Sequence, residues 1–435
     1  MKQSILHLSV ADQDGGAARA AYRIHAGLCR LGVDSRMLVG TKTSDDPTVI
    51  PVASTPAELF LSFARPAIEA LPIRFWYRPK HRPYFFANWV PDGIAGHEAF
   101  SKADLLQLHW VSAGLLRPET LAAFHKPIVW RLSDQWAFTG GCHYSGTCTR
   151  YEQQCGSCPQ LESAGGSDLS HRTWKRKQSS YSRLDLTVVS PSNWLADLAR
   201  KSSLFGRFPI RVIHNGLDTD VFRPIDRTIA RALLRLPQDR PLIAFGAVRA
   251  VDDPRKGFRE LQAALGILAA NVARGDDHVT MAAQPLPELL VFGASRAPAS
   301  VELPLPTHFL GKIHDDLALA LAYSAADVFV APSLEENFSS TVLEAVACGV
   351  PVAAFRLGGM PDLVQHQENG WLAEPVDPGN LAFGITWILA DEVRRRKLGE
   401  VARFRTLERF SLTRQCGHYI DLYNELLDSS RRPGR

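Results

Sequence analysis

"APSLEENFSSTVLEAVACGVPVAAF" runs from Ala331 to Phe355, and its reading decides the fold. An apolar strand ends at Ser333, and a loop then carries Glu335 and Glu336. Ser339, Ser340 or Thr341 can cap a helix that runs to Cys348, where Gly349 stops it and Pro351 opens the next strand. Short apolar strands joined by helices imply a parallel sheet with right-handed crossovers. The helix is apolar apart from Glu344. A lone carboxylate on a buried helix is costly unless something pairs with it. A salt bridge would answer that cost; so would a ligand with paired hydroxyls, such as a ribose.

The same strand–helix alternation extends in both directions. Upstream within this half lie "PLIAFGAV", a helix through "GFRELQAALGILAANV", "ELLVFGAS", "HFLGKI" and "DVFVAPS". The first half opens with "SILHLSV", a Gly-rich turn "DQDGGAAR" and a helix whose buried face is read from Ala21, Ile24, Leu28 and Leu31, ended by Gly32. Further strands are read in "SRMLVG", "LLQLHW", "PIVWRLS", "LTVVSPS" and "IRVIHNG". The polar stretch "DVFRPIDR" marks the junction. Two doubly wound Rossmann-like domains are therefore expected, residues 1–223 and 224–405, with a C-terminal helix over 406–435 packing back on the first. In such sheets ligands bind at the carboxyl ends of the strands.

Composition limits the alternatives. Of 435 residues, 46% are hydrophobic and 22% charged, as in ordinary globular chains. A net charge of +4 is too small for a dedicated nucleic-acid binder. No apolar run is long enough to span a bilayer, and the N-terminus lacks a signal-peptide pattern, so a cytoplasmic protein is expected.

Glu336 and Glu344 form an E-x7-E pattern that resembles the retaining glycosyltransferases of family 4. "VIHNGLDTDVFRP", "DPRKGFREL" and "LGGMPDLVQHQENGWLAEP" resemble further segments of that family, in the same order. "GGAARAAYR" and "WRLSDQWAFTGGCHY" resemble a subgroup that builds bacterial surface polysaccharides, of the exopolysaccharide, O-antigen and colanic-acid type. The resemblance implies the GT-B fold, two Rossmann-like domains facing each other across a cleft. It also implies sugar transfer from a UDP-, GDP- or ADP-sugar to a saccharide or polyprenyl-linked acceptor, with retention.

Carried over by position, Glu344 holds the donor ribose and Glu336 the donor sugar. The backbone of Phe338, Ser339, Ser340 and Thr341 contacts sugar and phosphate, and Gly358 and Gly359 read as a backbone site for the donor or as an ordinary strand-to-helix turn. Lys256, assisted by Arg249, balances the diphosphate, and Gly15 and Gly16 form the N-terminal glycine loop. Ser133 stands where many members have a histidine. Asp134 and His109 are the nearby candidates for its chemistry; each also reads as an ordinary turn or strand-end residue. No Asp-x-Asp lies in a suitable loop, so catalysis without a metal is expected. An epimerase or hydrolase on the same fold, and a non-catalytic sugar-nucleotide-binding relative, are the competing readings.

Cys142, Cys148, Cys155 and Cys158 are four of the seven cysteines, spaced Cys-x5-Cys-x6-Cys-x2-Cys in an insertion at about 140–160. The C-x2-C knuckle suits a structural zinc, with His143 as an alternative ligand. Two disulfides or redox-labile thiols are the other readings. "PIRFWYRPKHRPYFFANWV", Pro72 to Val90, mixes arginines with aromatics and suits peripheral contact with the inner face of the cytoplasmic membrane, or a packed surface loop.

Overall fold

The structure, a computed structural model, describes residues 3–53, 55–77, 79–80, 84–246, 251, 253–274, 285–296 and 302–430. It divides into two compact units, Met1–His214 with Gln415–Arg435, and Asn215–Arg414. The division falls ahead of "DVFRPIDR" because Leu217 and Phe222 are buried in the core of the second unit.

The first unit holds seven parallel strands: β1 (Ser4–Ala11), β2 (Asp34–Thr41), β3 (Val49–Pro51), β4 (Leu105–Leu108), β5 (Ile128–Arg131), β6 (Leu186–Ser190) and β7 (Ile210–Val212). Their order is β3-β2-β1-β4-β5-β6-β7. Strands β4, β5 and β6 are buried along their whole length, which is why they read as continuous apolar runs. The strand order reverses between β1 and β4, where His7 lies opposite Gln107 and Leu8 opposite Leu108.

The helix Gly16–Arg30 packs Ala21, Ile24 and Leu28 inward. Leu31, expected on the same face, is 46% exposed because it is the cap residue beyond the helix; Gly32 then turns the chain at φ +80°. The helix Leu412–Ser430 belongs to the first unit from Gln415 on. Within that unit Tyr423 is buried and donates its hydroxyl to Gln107.

The second unit holds six parallel strands: β8 (Leu242–Gly246), β9 (Glu288–Phe292), β10 (Thr307–Phe309), β11 (Val328–Ala331), β12 (Val352–Phe355) and β13 (Gly370–Ala373). Their order is β10-β9-β8-β11-β12-β13. This sheet reverses between β8 and β11, so the carboxyl ends of those strands open the crevice where such folds bind ligands. Strand β13 escapes the sequence reading because "GWLA" is too short to show periodicity. No helix among the described residues is long and apolar enough to cross a membrane.

Candidate active site

The crevice at the β8/β11 reversal is lined by Gly246, Lys256, Pro332, Ser333 and Thr341. Lys256 ends a short 3-10 helix, Pro254–Lys256, and the turn is completed by Gly257 at φ +72°. A Cβ on Gly257 would stand 1.7 Å from the Pro332 carbonyl oxygen, so only glycine fits. The Leu334 N–H donates to the Arg255 carbonyl at 2.8 Å, stitching this turn to the loop after β11. The result is a direct pairing: Lys256 Nζ donates to Glu336 Oε2 at 2.7 Å. Both side chains are partly open, 25% and 13% exposed.

Glu336 is held from below. The Gly359 N–H donates to its carbonyl at 3.0 Å. Gly358 adopts φ +56°, and a Cβ there would stand 2.0 Å from the same carbonyl oxygen. Gly358→Ala should therefore lower stability by about 1–3 kcal/mol and move Glu336. Thermal melting checks the first effect; unchanged melting would contradict the tight approach.

Of the three candidate caps, Ser339 caps the helix Ser340–Ala347, its Oγ accepting from the Val342 N–H at 3.3 Å. Thr341, in the first turn, lines the crevice. The free N–H groups and dipole of a helix start favour an anion. Phe338 turns its ring into the core, 5.8 Å from Phe410, so its side chain is structural. Glu344 is 3% exposed and accepts from the buried Tyr323 hydroxyl at 3.0 Å. No motif singles out Tyr323, because "LALALAYS" reads as plain helix core. Arg249 lies outside the described residues.

The remaining candidates sit in the first unit. Gly15 caps the helix Gly16–Arg30 at φ +88°, in the backbone region glycine favours, and nothing lies within 4 Å of a Cβ built on Gly15 or Gly16. His109 is buried against His7, ring nitrogens 2.9 Å apart. Burial, then the neighbouring His7, holds its pKa well below the usual imidazole value. Asp134 is also buried, and pairs with His143 rather than standing open.

All four cysteines of the insertion are free. Burial pushes Cys142 up and Cys155 up to about 12, favouring protonated thiols. Among the described residues no group of three or more His, Cys, Asp or Glu side chains is arranged to hold a metal ion. His143 Nδ1, the alternative donor read from the sequence, is engaged by Asp134.

Two family models match the chain: Glycosyltransferase Family 4 over residues 14–221, and Glycosyl transferases group 1 over residues 296–405. The first match falls almost wholly within the first unit and the second lies within the second unit. The group 1 match includes Glu336, Glu344, Gly358 and Gly359; the family 4 match includes Gly15, Gly16, His109 and Asp134.

A D-inositol 3-phosphate glycosyltransferase of Mycobacterium tuberculosis (strain F11) is 32% identical over 321 residues, 69% of this chain and 62% of that one. The chain spans between 57% and 62% of the length of such curated relatives. Among solved structures, a sucrose-phosphate synthase from Thermosynechococcus elongatus matches with TM-score 0.64 at 21% identity, covering 98% of this chain and all (100%) of that one. Anabaena Alr3699/HepE, in complex with UDP and glucose, matches with TM-score 0.62 at 16% identity, over 98% and 100%. These likenesses show the GT-B fold.

Proposed function

We propose that the chain is a retaining glycosyltransferase that moves a sugar from a nucleoside diphosphate sugar onto a saccharide or lipid-linked saccharide in cell-surface polysaccharide synthesis. The observation that carries this reading is the 2.7 Å Lys256–Glu336 pair at the β8/β11 reversal, with a helix start beside it and Glu344 on the same helix. As the bond to the sugar breaks, negative charge gathers on the departing diphosphate. Lys256 and the helix start stabilise that charge, while Glu336, freed from Lys256, accepts from donor-sugar hydroxyls. Glu344 accepts from the ribose hydroxyls. The attacking acceptor hydroxyl gives its proton to the leaving phosphate on the same face, so no separate base is required. The residues present support donor binding without a metal.

Incubation with UDP-, GDP- and ADP-sugars, with D-inositol 3-phosphate among the acceptors, tests this. Transfer with an unchanged anomeric configuration supports it. Free sugar or an epimer alone favours the hydrolase or epimerase reading, and binding without turnover favours a non-catalytic relative. The UDP complexes of Alr3699/HepE support UDP as the first donor base to try.

We read the chain as cytoplasmic and peripheral on a membrane. Phe60 (73% exposed) and Leu61 stand open on the helix Pro56–Glu69, and Trp76 (76% exposed), Phe75, Arg74 and Lys80 stand open in the segment after it. Apolar and aromatic side chains flanked by cations suit an anionic lipid surface. Part of that stretch, residues 78 and 81–83, lies outside the described residues. Phe60→Ala with Trp76→Ala should reduce sedimentation with phosphatidylglycerol vesicles at least about tenfold; unchanged sedimentation contradicts the reading. From the cysteine spacing we also infer a structural zinc: metal analysis of chelator-free protein should find about one ion per chain. No zinc, with four titratable thiols, removes it.

A further inference from the structure

The carboxyl ends of β4 and β5 in the first unit carry an aromatic and polar cluster that donor chemistry leaves unused. Trp110 follows β4 and Asp134 follows β5, beside the reversal between β1 and β4; the loop after β1 bears Gly15 and Gly16. This is the place where a doubly wound sheet presents ligand-binding groups.

The cluster is ordered from its centre. His143 is fully buried, and its Nδ1 lies 2.6 Å from Asp134 Oδ2. The same oxygen accepts from Trp110 Nε1 at 2.8 Å, while Asp134 Oδ1 accepts from the Trp136 N–H at 2.8 Å. The His143 backbone is fixed on both sides, its N–H donating to Tyr84 at 3.3 Å and its carbonyl accepting from Gln135 at 2.9 Å. The Tyr84 ring lies over the imidazole, centroids 4.3 Å apart. Tyr84 and Trp110 are parallel within 9°, centroids 6.3 Å apart. Tyr84 is 50% exposed and Trp110 half-buried, so their rings form the outer layer over a buried acid–imidazole pair.

Two features point to a ligand. Aromatic rings held parallel at an open position, Trp110 oriented by its hydrogen bond to Asp134 and Tyr84 by packing on His143, offer apolar faces with polar edges, the surface a sugar ring matches. His143 Nε2, buried, has no hydrogen-bond partner. A buried polar atom without a partner is costly, and its persistence marks a position for one more hydroxyl.

We propose that Tyr84 and Trp110 form a stacking platform for the acceptor saccharide, with Asp134 and His143 as positioning residues beneath it. The ligand class is a hydroxyl-rich pyranose, free or at the end of a longer glycan. This rests on the glycosyltransferase reading and specifies its acceptor side. Asp134, expected from the sequence to act near the reaction centre, then orients Trp110 and His143 instead.

The test is saturation-transfer NMR on the full chain with methyl α-glucoside, methyl α-mannoside, methyl β-galactoside, maltose and lactose, with UDP as a control on the second unit. At least one glycoside should bind. Tyr84→Ala and Trp110→Ala should weaken it at least about tenfold and Tyr84→Phe should not, because the ring and not the phenol makes the contact. His143→Ala should weaken it and His143→Asn restore part of the loss, since Asn keeps an N–H toward Asp134. No glycoside binding to the wild type, or equal binding by Tyr84→Ala, overturns the platform. Those results with intact UDP binding leave the glycosyltransferase reading standing. Absent nucleotide binding sinks that reading while the glycoside comparison still reports on the platform.

Discussion

Lys256→Ala is expected to cut sugar transfer about 100- to 1,000-fold while leaving the fold intact, the scale for removing one group that stabilises transition-state charge. The side chain is a quarter exposed and donates to Glu336 at 2.7 Å, so it stands at the edge of the crevice and not in the core. The loss should fall mainly on kcat, because charge on the diphosphate grows as the sugar bond breaks. Lys256→Arg should recover only part of the activity, since a planar guanidinium does not reproduce the compact point charge of an ammonium. Initial rates with a saturating nucleotide sugar, alongside thermal melting, check this. Near wild-type turnover with an unchanged melt would remove Lys256 from the chemistry.

Much of the scaffold was legible because its central strands are buried on both faces and therefore read as short apolar runs. The helix Ser340–Ala347 was legible for the opposite reason, a single acid in an apolar sequence with a hydroxyl cap ahead of it. Long-range pairing was not. Lys256 and Glu336 lie 80 positions apart, and only the sheet order brings the ends of β8 and β11 together. Gly257 and Gly358 could be noticed as glycines, but the reason they must be glycine is a carbonyl oxygen arriving from another segment in each case. The insertion shows the converse. Cysteine spacing suggests a metal, but spacing does not show that His143 is drawn to Asp134, a partner nine positions away. Leu31 fits the periodicity and still faces solvent, because periodicity does not say where a helix stops.

The second large effect concerns Glu344. Glu344→Gln is nearly the same shape and keeps an oxygen for the Tyr323 hydroxyl, which now donates at 3.0 Å. The substitution therefore spares the buried hydrogen bond and removes the charge. A carboxylate accepts two hydroxyls side by side; an amide offers one acceptor and one donor. If the buried acid serves the ribose, the loss should appear in donor affinity, at least about tenfold, the size expected for a hydrogen bond to a charged group. A purely structural acid would show its loss in stability instead, with donor affinity kept.

Calorimetric titration of wild type and Glu344→Gln with UDP, GDP and ADP tests the central claim most directly, that the β8/β11 crevice is a nucleoside diphosphate site. The wild type should bind at least one of the three, and the variant should bind it at least about tenfold more weakly with an unchanged melting temperature. No nucleotide bound by the wild type, or equal affinity in the variant, would contradict it.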